Sequence, residues 1–194
     1  MHAPAIFHLP LAIPFWVIFF LAFVREGRVV RPALAEKSSA QDAGSFRALM
    51  IGSPLSMLLA LAASFLPWLR IPGPTIAVAC GMALIVAGAV LRRHCFRALS
   101  TSFTGVVRVR EGQEVIQTGP YRLVRHPSYT AAFMMYVGVG LALESWISVG
   151  ILFLAHCYLY GRRVVAEERA LVATLGDAYA GYMQRTKRFI PFVI

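Results

Sequence analysis

Charge is what this sequence has least of, and acidic charge least of all. Asp, Glu, Lys and Arg make up 14% of its 194 residues, against about 25% in a soluble domain. Hydrophobic residues reach 58% and mean hydropathy is +0.66, so a freely soluble protein is excluded. Cysteine is nearly absent as well. Cys80 and Cys157 lie inside apolar runs, and neither a CxxC pair nor a Cys/His spacing accompanies Cys95. A disulfide framework and a zinc site are therefore both unsupported. No Gly-x-Gly-x-x-Gly follows a strand-like run, which removes the usual phosphate turn of soluble dinucleotide folds. A basic stretch before the first apolar run and a small-residue cleavage site after it are also missing, so that run is expected to be a retained helix rather than a secretion signal.

What is present is a set of five apolar segments, about 6–24, 49–69, 75–91, 129–143 and 146–161, none containing Lys, Arg, Asp or Glu. A charge-free helix of about 20 residues crosses the hydrocarbon layer, and a charge at its centre costs about 2.5–3.5 kcal/mol. The first three segments read as membrane helices. The last two are near 15 residues each and read as spans that extend into flanking residues, or as a short hairpin turning at Glu144 and Ser145. Pro10 and Pro14 should bend or delay the start of the first helix. Gly81 and Gly88 indicate close helix packing.

The formal net charge of +10 is unevenly placed. Eighteen of the 19 basic residues fall in the stretches 25–47, 92–128 and from Arg162 onward, all on one side of the membrane, and Arg70 stands alone on the other. By the positive-inside rule the amino terminus faces out and the carboxyl terminus faces the cytoplasm. Topology and attraction to anionic membrane lipids account for this charge, and nucleic-acid binding is not indicated. The expected fold is an all-α, multi-pass integral membrane protein of about five transmembrane helices. Three of them, with a connector, occupy 1–91, and a cytosolic loop, a helical hairpin and carboxyl-terminal helices occupy 92–194.

The outward side offers two short turns, so polar chemistry belongs at the cytoplasmic boundary. Residues 25–47 read as a connector. Between Arg92 and Tyr129, an extended piece over 103–110 leads to a Gly119-Pro120 turn and then to Tyr121, Arg125, His126, Pro127, Ser128 and Tyr129. Pro127 pushes His126 toward extended dihedrals and suits the first position of a helix. This donor-rich loop is either an interfacial anchor or part of a site. The fifth segment continues as a helix with an apolar stripe of Leu171, Val172 and Leu175 until Gly176 breaks it, and on it Arg163 and Glu167 share a face. Alone, such a surface pair is worth about 0.3–0.5 kcal/mol. At the same depth as the loop, it could help enclose a small ligand beside the lipid.

These residues resemble the isoprenylcysteine carboxyl methyltransferase family and, more distantly, the phospholipid N-methyltransferases. The matching pieces are Gly119-Pro120-Tyr121, Arg125-His126-Pro127-Ser128-Tyr129, Glu167-Glu168, Leu175-Gly176-Asp177-Ala178-Tyr179 with Tyr182, and Arg188 with Pro191, spread over 92–194. One departure is Ala131, where the family commonly has Gly. The resemblance implies S-adenosylmethionine as cofactor, with Gln113, Glu114, Val115, Ile116, Tyr121, His126, Pro127, Ser128, Tyr129 and Glu167 around it. It implies Arg163 as the catalytic, substrate-contacting residue and gives Glu168 no role. The implied reaction is methyl transfer to a lipidic or lipidated acceptor, in the first place a prenylcysteine-like carboxylate, which is ionised at neutral pH and needs only an arginine to position it. An amine acceptor would instead need a base, for which His126, Glu167 and Glu168 are candidates. A thiol acceptor, a membrane NADPH-dependent reductase and a non-enzymatic scaffold remain alternatives.

Overall fold

The computed structural model describes residues 3–35, 44–99 and 115–191. The helices are α1 (Ala12–Ala35), α2 (Ser45–Ala63), α3 (Pro74–Leu99), α4 (Pro127–Ala142), α5 (Trp146–Leu175) and α6 (Asp177–Arg185), and 3-10 turns lie at Ala5–Phe7 and Gly119–Arg122. Among the described residues there is no strand, only the isolated bridges Arg70 to Ser145 and Val124 to Lys187. The extended piece expected over 103–110 lies outside the described residues.

The all-helical membrane architecture matches the sequence reading, with changes in which helices are long. Helices α2, α3 and α5 are long and apolar enough to cross a membrane, whereas the apolar stretch of α1, Ala12–Phe23, is shorter. Helix α1 starts only at Ala12, after Pro10, and Pro14 lies within its first turn. Helix α2 stops at Ala63 rather than near Leu69. Pro67 explains this, because it carries no N–H and disfavours the helical region at Leu66. Helix α5 gains most: its 30 residues make a rod of about 45 Å at about 1.5 Å per residue. That exceeds the ~30 Å hydrocarbon core, so its last third projects beyond it.

Helices α3 and α4 pack backbone to backbone. A Cβ on Gly81 would lie 2.5 Å from the Gly138 carbonyl oxygen, and one on Gly88 would lie 2.6 Å from that of Ala131. Ala131, fully buried, thus sits on this seam, and the room its backbone needs is provided by Gly88 on the facing helix. Ile6, Phe15, Ala60, Val78, Ile85, Met135, Val139 and Leu152 fill the core around it. The Ser148 hydroxyl donates to the Ala60 carbonyl at 2.7 Å and ties α5 to α2.

At the end of the bundle that carries Arg70, the α4–α5 turn falls at Glu144 and Ser145, as the sequence indicated. Glu144 adopts a left-handed conformation (φ 56°). Its buried carboxylate accepts from the Ala5 N–H at 2.5 Å and lies 3.6 Å from Arg70. The Ser145 hydroxyl caps α5 by accepting from the Ser148 N–H.

Candidate active site

The opposite, arginine-rich end is built on the projecting third of α5. Pro127 fills the first position of α4 and His126 precedes it in non-helical geometry, so the loop from Tyr121 meets α4 at the level where α5 leaves its apolar run. The two polar clusters of the sequence are thereby brought together. The Tyr129 hydroxyl donates to Glu167 Oε2 at 2.7 Å and accepts from Arg163 Nε at 3.2 Å. Arg163 is buried at 4% exposure, whereas the Glu167 side chain keeps 32%. His126 stacks on Tyr129, with ring centroids 5.7 Å apart, and its Nδ1 lies 3.9 Å from Glu167.

Two residues escaped the sequence reading. Arg163 Nη1 donates to the Ser45 hydroxyl at 3.2 Å, and its guanidinium carbon lies 5.8 Å from the centre of the Phe46 ring. Both belong to the first turn of α2 and are buried. No local signal identifies them, because they lie more than a hundred residues from Arg163 in the chain.

Glu168, to which the resemblance gave no role, is an anchor. It is buried at 5% exposure. Arg125 Nε reaches its Oε1 at 2.9 Å and His126 Nε2 lies 3.3 Å from the same oxygen. Arg188 approaches Oε2 at 3.0 Å through Nε and 2.7 Å through Nη2. Burial alone would raise the pKa of this carboxyl, but hydrogen bonds from His126, Arg188 and Arg125 outweigh it and hold the group well below the ordinary carboxylate range. Arg188 shifts upward in turn through its hydrogen bond to Glu168.

The same residues clamp the segment after α6 against the loop. The Arg125 and His126 N–H groups donate to the Lys187 and Arg188 carbonyls at 2.7 and 2.9 Å. Arg125 Nη1 bonds the carbonyls of Met183, at 3.0 Å, and Thr186. Thr130 reaches the Phe189 carbonyl at 3.0 Å. The buried Tyr182 hydroxyl donates to the Tyr121 carbonyl at 2.6 Å, and burial pushes its pKa up to about 12. Gly176, with φ 55°, makes the corner that lets α6 fold back.

The remaining candidates are distributed around this core. Burial of Tyr121 pushes the pKa of its phenol up and keeps it neutral, and its hydroxyl makes no hydrogen bond among the described residues. The Ser128 carbonyl accepts from Arg92 Nη1 at 2.7 Å. Val115 and Ile116 are half-buried in the segment leading to Gly119. Gln113 and Glu114 lie outside the described residues.

Comparison with known proteins places this arrangement in a family. A family model described as phospholipid methyltransferase matches residues 76–178. The protein-S-isoprenylcysteine O-methyltransferase B of Arabidopsis thaliana is 30% identical over 115 residues, covering 58% of each chain. The nickel-cobalt-cadmium resistance protein NccN of Alcaligenes xylosoxydans xylosoxydans is 34% identical over 82 residues, 42% of this chain and 38% of that one. The chain thus spans little more than half the length of the first of these relatives and less of the second. The solved structure of a eukaryotic intramembrane Ras methyltransferase, isoprenylcysteine carboxyl methyltransferase, aligns with a TM-score of 0.62 at 20% identity. It covers 77% of this chain and 62% of that chain, a likeness of fold.

Proposed function

Because the chain belongs to the phospholipid methyltransferase family, we propose that it transfers a methyl group from S-adenosylmethionine to a lipidic or lipidated acceptor, in the first place the carboxylate of a prenylcysteine-like group. The observation that carries this reading is the Arg163–Tyr129–Glu167 chain, in which a buried cation and a part-exposed anion on one face of α5 are joined by a single hydroxyl. The relatives named for isoprenylcysteine methylation support it.

The donor set suits a cofactor with one cationic and several polar groups. Glu167 keeps an exposed carboxylate edge for an ammonium, and the buried Tyr121 hydroxyl has hydrogen-bonding capacity to spare. His126, Pro127, Ser128 and Tyr129 would form the adjoining wall, and Gln113 to Ile116 would approach from the loop. When bound, S-adenosylmethionine supplies an electrophilic methyl group on a sulfonium. Arg163 would orient the acceptor's carboxylate, which needs no proton removed at neutral pH. Tyr129 holds the Arg163 guanidinium toward Glu167, so acceptor and cofactor sites share one hydrogen-bonded frame.

Amine methylation is less well served. Of the three candidate bases, Glu168 is committed to Arg125 and Arg188 and held ionised to low pH, which makes it a weak proton acceptor. In this reading 92–194 carries the methyltransferase core, the site faces the cytoplasm and the amino terminus lies outside.

Calorimetric titration in detergent with S-adenosylhomocysteine, beside NADPH, tests the reading. Saturable S-adenosylhomocysteine binding that is lost in Glu167→Ala and kept in Arg163→Ala, together with methylation of an S-farnesylcysteine, is expected. Binding of NADPH alone would overturn it in favour of a reductase.

A further inference from the structure

On the side of α5 turned away from Arg163 and Glu167 runs an open groove of about 400 Å³, lined by Val165, Arg169, Val172 and Ala173, with Glu168 at its edge and Met183 and Arg188 opposite. At about 100° per residue, Val165, Arg169 and Val172 lie roughly 180° round the helix from the Arg163–Glu167 face. The groove is therefore a separate feature from the proposed active site. We propose that it seats an anionic glycerophospholipid, with the phosphate between Arg169 and Arg188 and the start of an acyl chain on Val165.

Three observations carry this. The first is charge. The one acid of the groove, Glu168, is already compensated by Arg125 and Arg188, and Arg169 adds a further positive charge. Arg169 is exposed and makes no hydrogen bond or ion pair among the described residues. Arg188 spends two N–H groups on Glu168 and keeps three of its five donors. Its fork is thus fixed in place before any ligand arrives, which lowers the ordering cost of a bidentate phosphate contact.

The second is apolar exposure beyond the span. Val165 retains 39% exposure, one turn past Gly161. Between charged neighbours, this side chain gains from contact with lipid. The third is depth. Val165 lies about 6 Å and Arg169 about 12 Å past Gly161 at about 1.5 Å per residue, while the headgroup layer is about 5–8 Å thick on each side. Helical side chains tilt toward the helix amino terminus, which leans Arg169 back toward that layer.

The test is lipid retention by purified protein, read by native mass spectrometry after reconstitution in phosphatidylcholine vesicles containing phosphatidylglycerol. It needs no methyl acceptor, so its failure is distinguishable from failure of the methyltransferase reading. One phosphatidylglycerol per chain is expected to survive delipidation. Arg169→Gln, which loses one charge-assisted contact, and Val165→Asp, which sets a like charge beside the phosphate, should each reduce its retention about tenfold. Arg162→Gln, an exposed arginine outside the groove, should leave it unchanged, and the unfolding midpoint in detergent reports that all three variants remain folded. Equal retention by Arg169→Gln and the parent, or an equal loss in Arg162→Gln, would overturn the site in favour of diffuse attraction to the basic rim. Displacement of the lipid by millimolar glycerol phosphate would overturn the lipid as its occupant.

Discussion

Two neighbouring carboxylates on α5 have opposite fates. Glu167 keeps a third of its side chain exposed and has a tyrosine hydroxyl as its close donor. Glu168, 100° further round, is enclosed and engaged by two arginines and a histidine. A carboxylate that must receive a ligand cannot have its acceptor sites filled by the protein, and one that must hold a loop cannot leave them free. The difference separates a binding face from a structural face within a single helical turn.

Substitutions that treat the two residues alike should break or sharpen this contrast. The largest effect is expected from Glu168→Ala, which strands Arg125 and Arg188 and should cost about 3–5 kcal/mol of stability, read as the unfolding midpoint in detergent. Next comes Arg163→Ala, which should lower kcat/KM for a prenylcysteine acceptor about 100-fold while leaving S-adenosylhomocysteine affinity within about twofold; 100-fold corresponds to about 2.7 kcal/mol. Glu167→Gln should weaken S-adenosylhomocysteine about tenfold, with less than about 1 kcal/mol change in stability because the residue is part-exposed. Tyr182→Phe should cost about 1–2 kcal/mol by leaving the Tyr121 carbonyl without its donor. Should Glu167→Gln destabilise as much as Glu168→Ala, the division of the two faces is wrong.

Acid adds a graded version of the same contrast. The pKa of Glu168 is depressed in the folded protein, so between its folded and unfolded values the unfolded chain binds the extra proton. Its contribution is fully present above the unfolded value, about 4.3, and declines as pH falls below it toward the folded value. The unfolding midpoint of the parent should therefore drop more steeply from pH 5 to pH 3 than that of Glu168→Gln. Parallel slopes would remove Glu168 as the anchor.

Much of this was legible in the residues because each signal was local. Absence of charge marked the apolar runs, Pro10 set back α1, Gly81 and Gly88 announced the α3–α4 seam, and Glu144-Ser145 marked the hairpin turn. Shared depth was enough to suggest that Tyr129 and Glu167 meet. What escaped depends on contacts between distant parts of the chain. Ser45 and Phe46 reach Arg163 only because α2 packs on α5. The end carrying Glu144 looked bare because a single buried acid gathers the Ala5 N–H and Arg70 there without any motif. Glu168 and Arg188 are both visible as residues, but their pairing depends on the corner at Gly176 folding α6 back. Helix α5, by contrast, ends where the sequence indicated, because the apolar stripe of Leu171, Val172 and Leu175 carries the helix past the span until Gly176 breaks it.

The clamp formed by residues 186–189 also makes the closed site depend on two stretches far apart in the chain. Arg125 and His126 find their carbonyl partners, and Glu168 its Arg188, only where the segment after α6 returns to the loop. The contacts that hold the long helices together do not involve that segment. A chain cut after Arg185 should therefore keep its bundle while the Tyr121–Tyr129 loop loses its hold, so the segment after α6 acts as a latch.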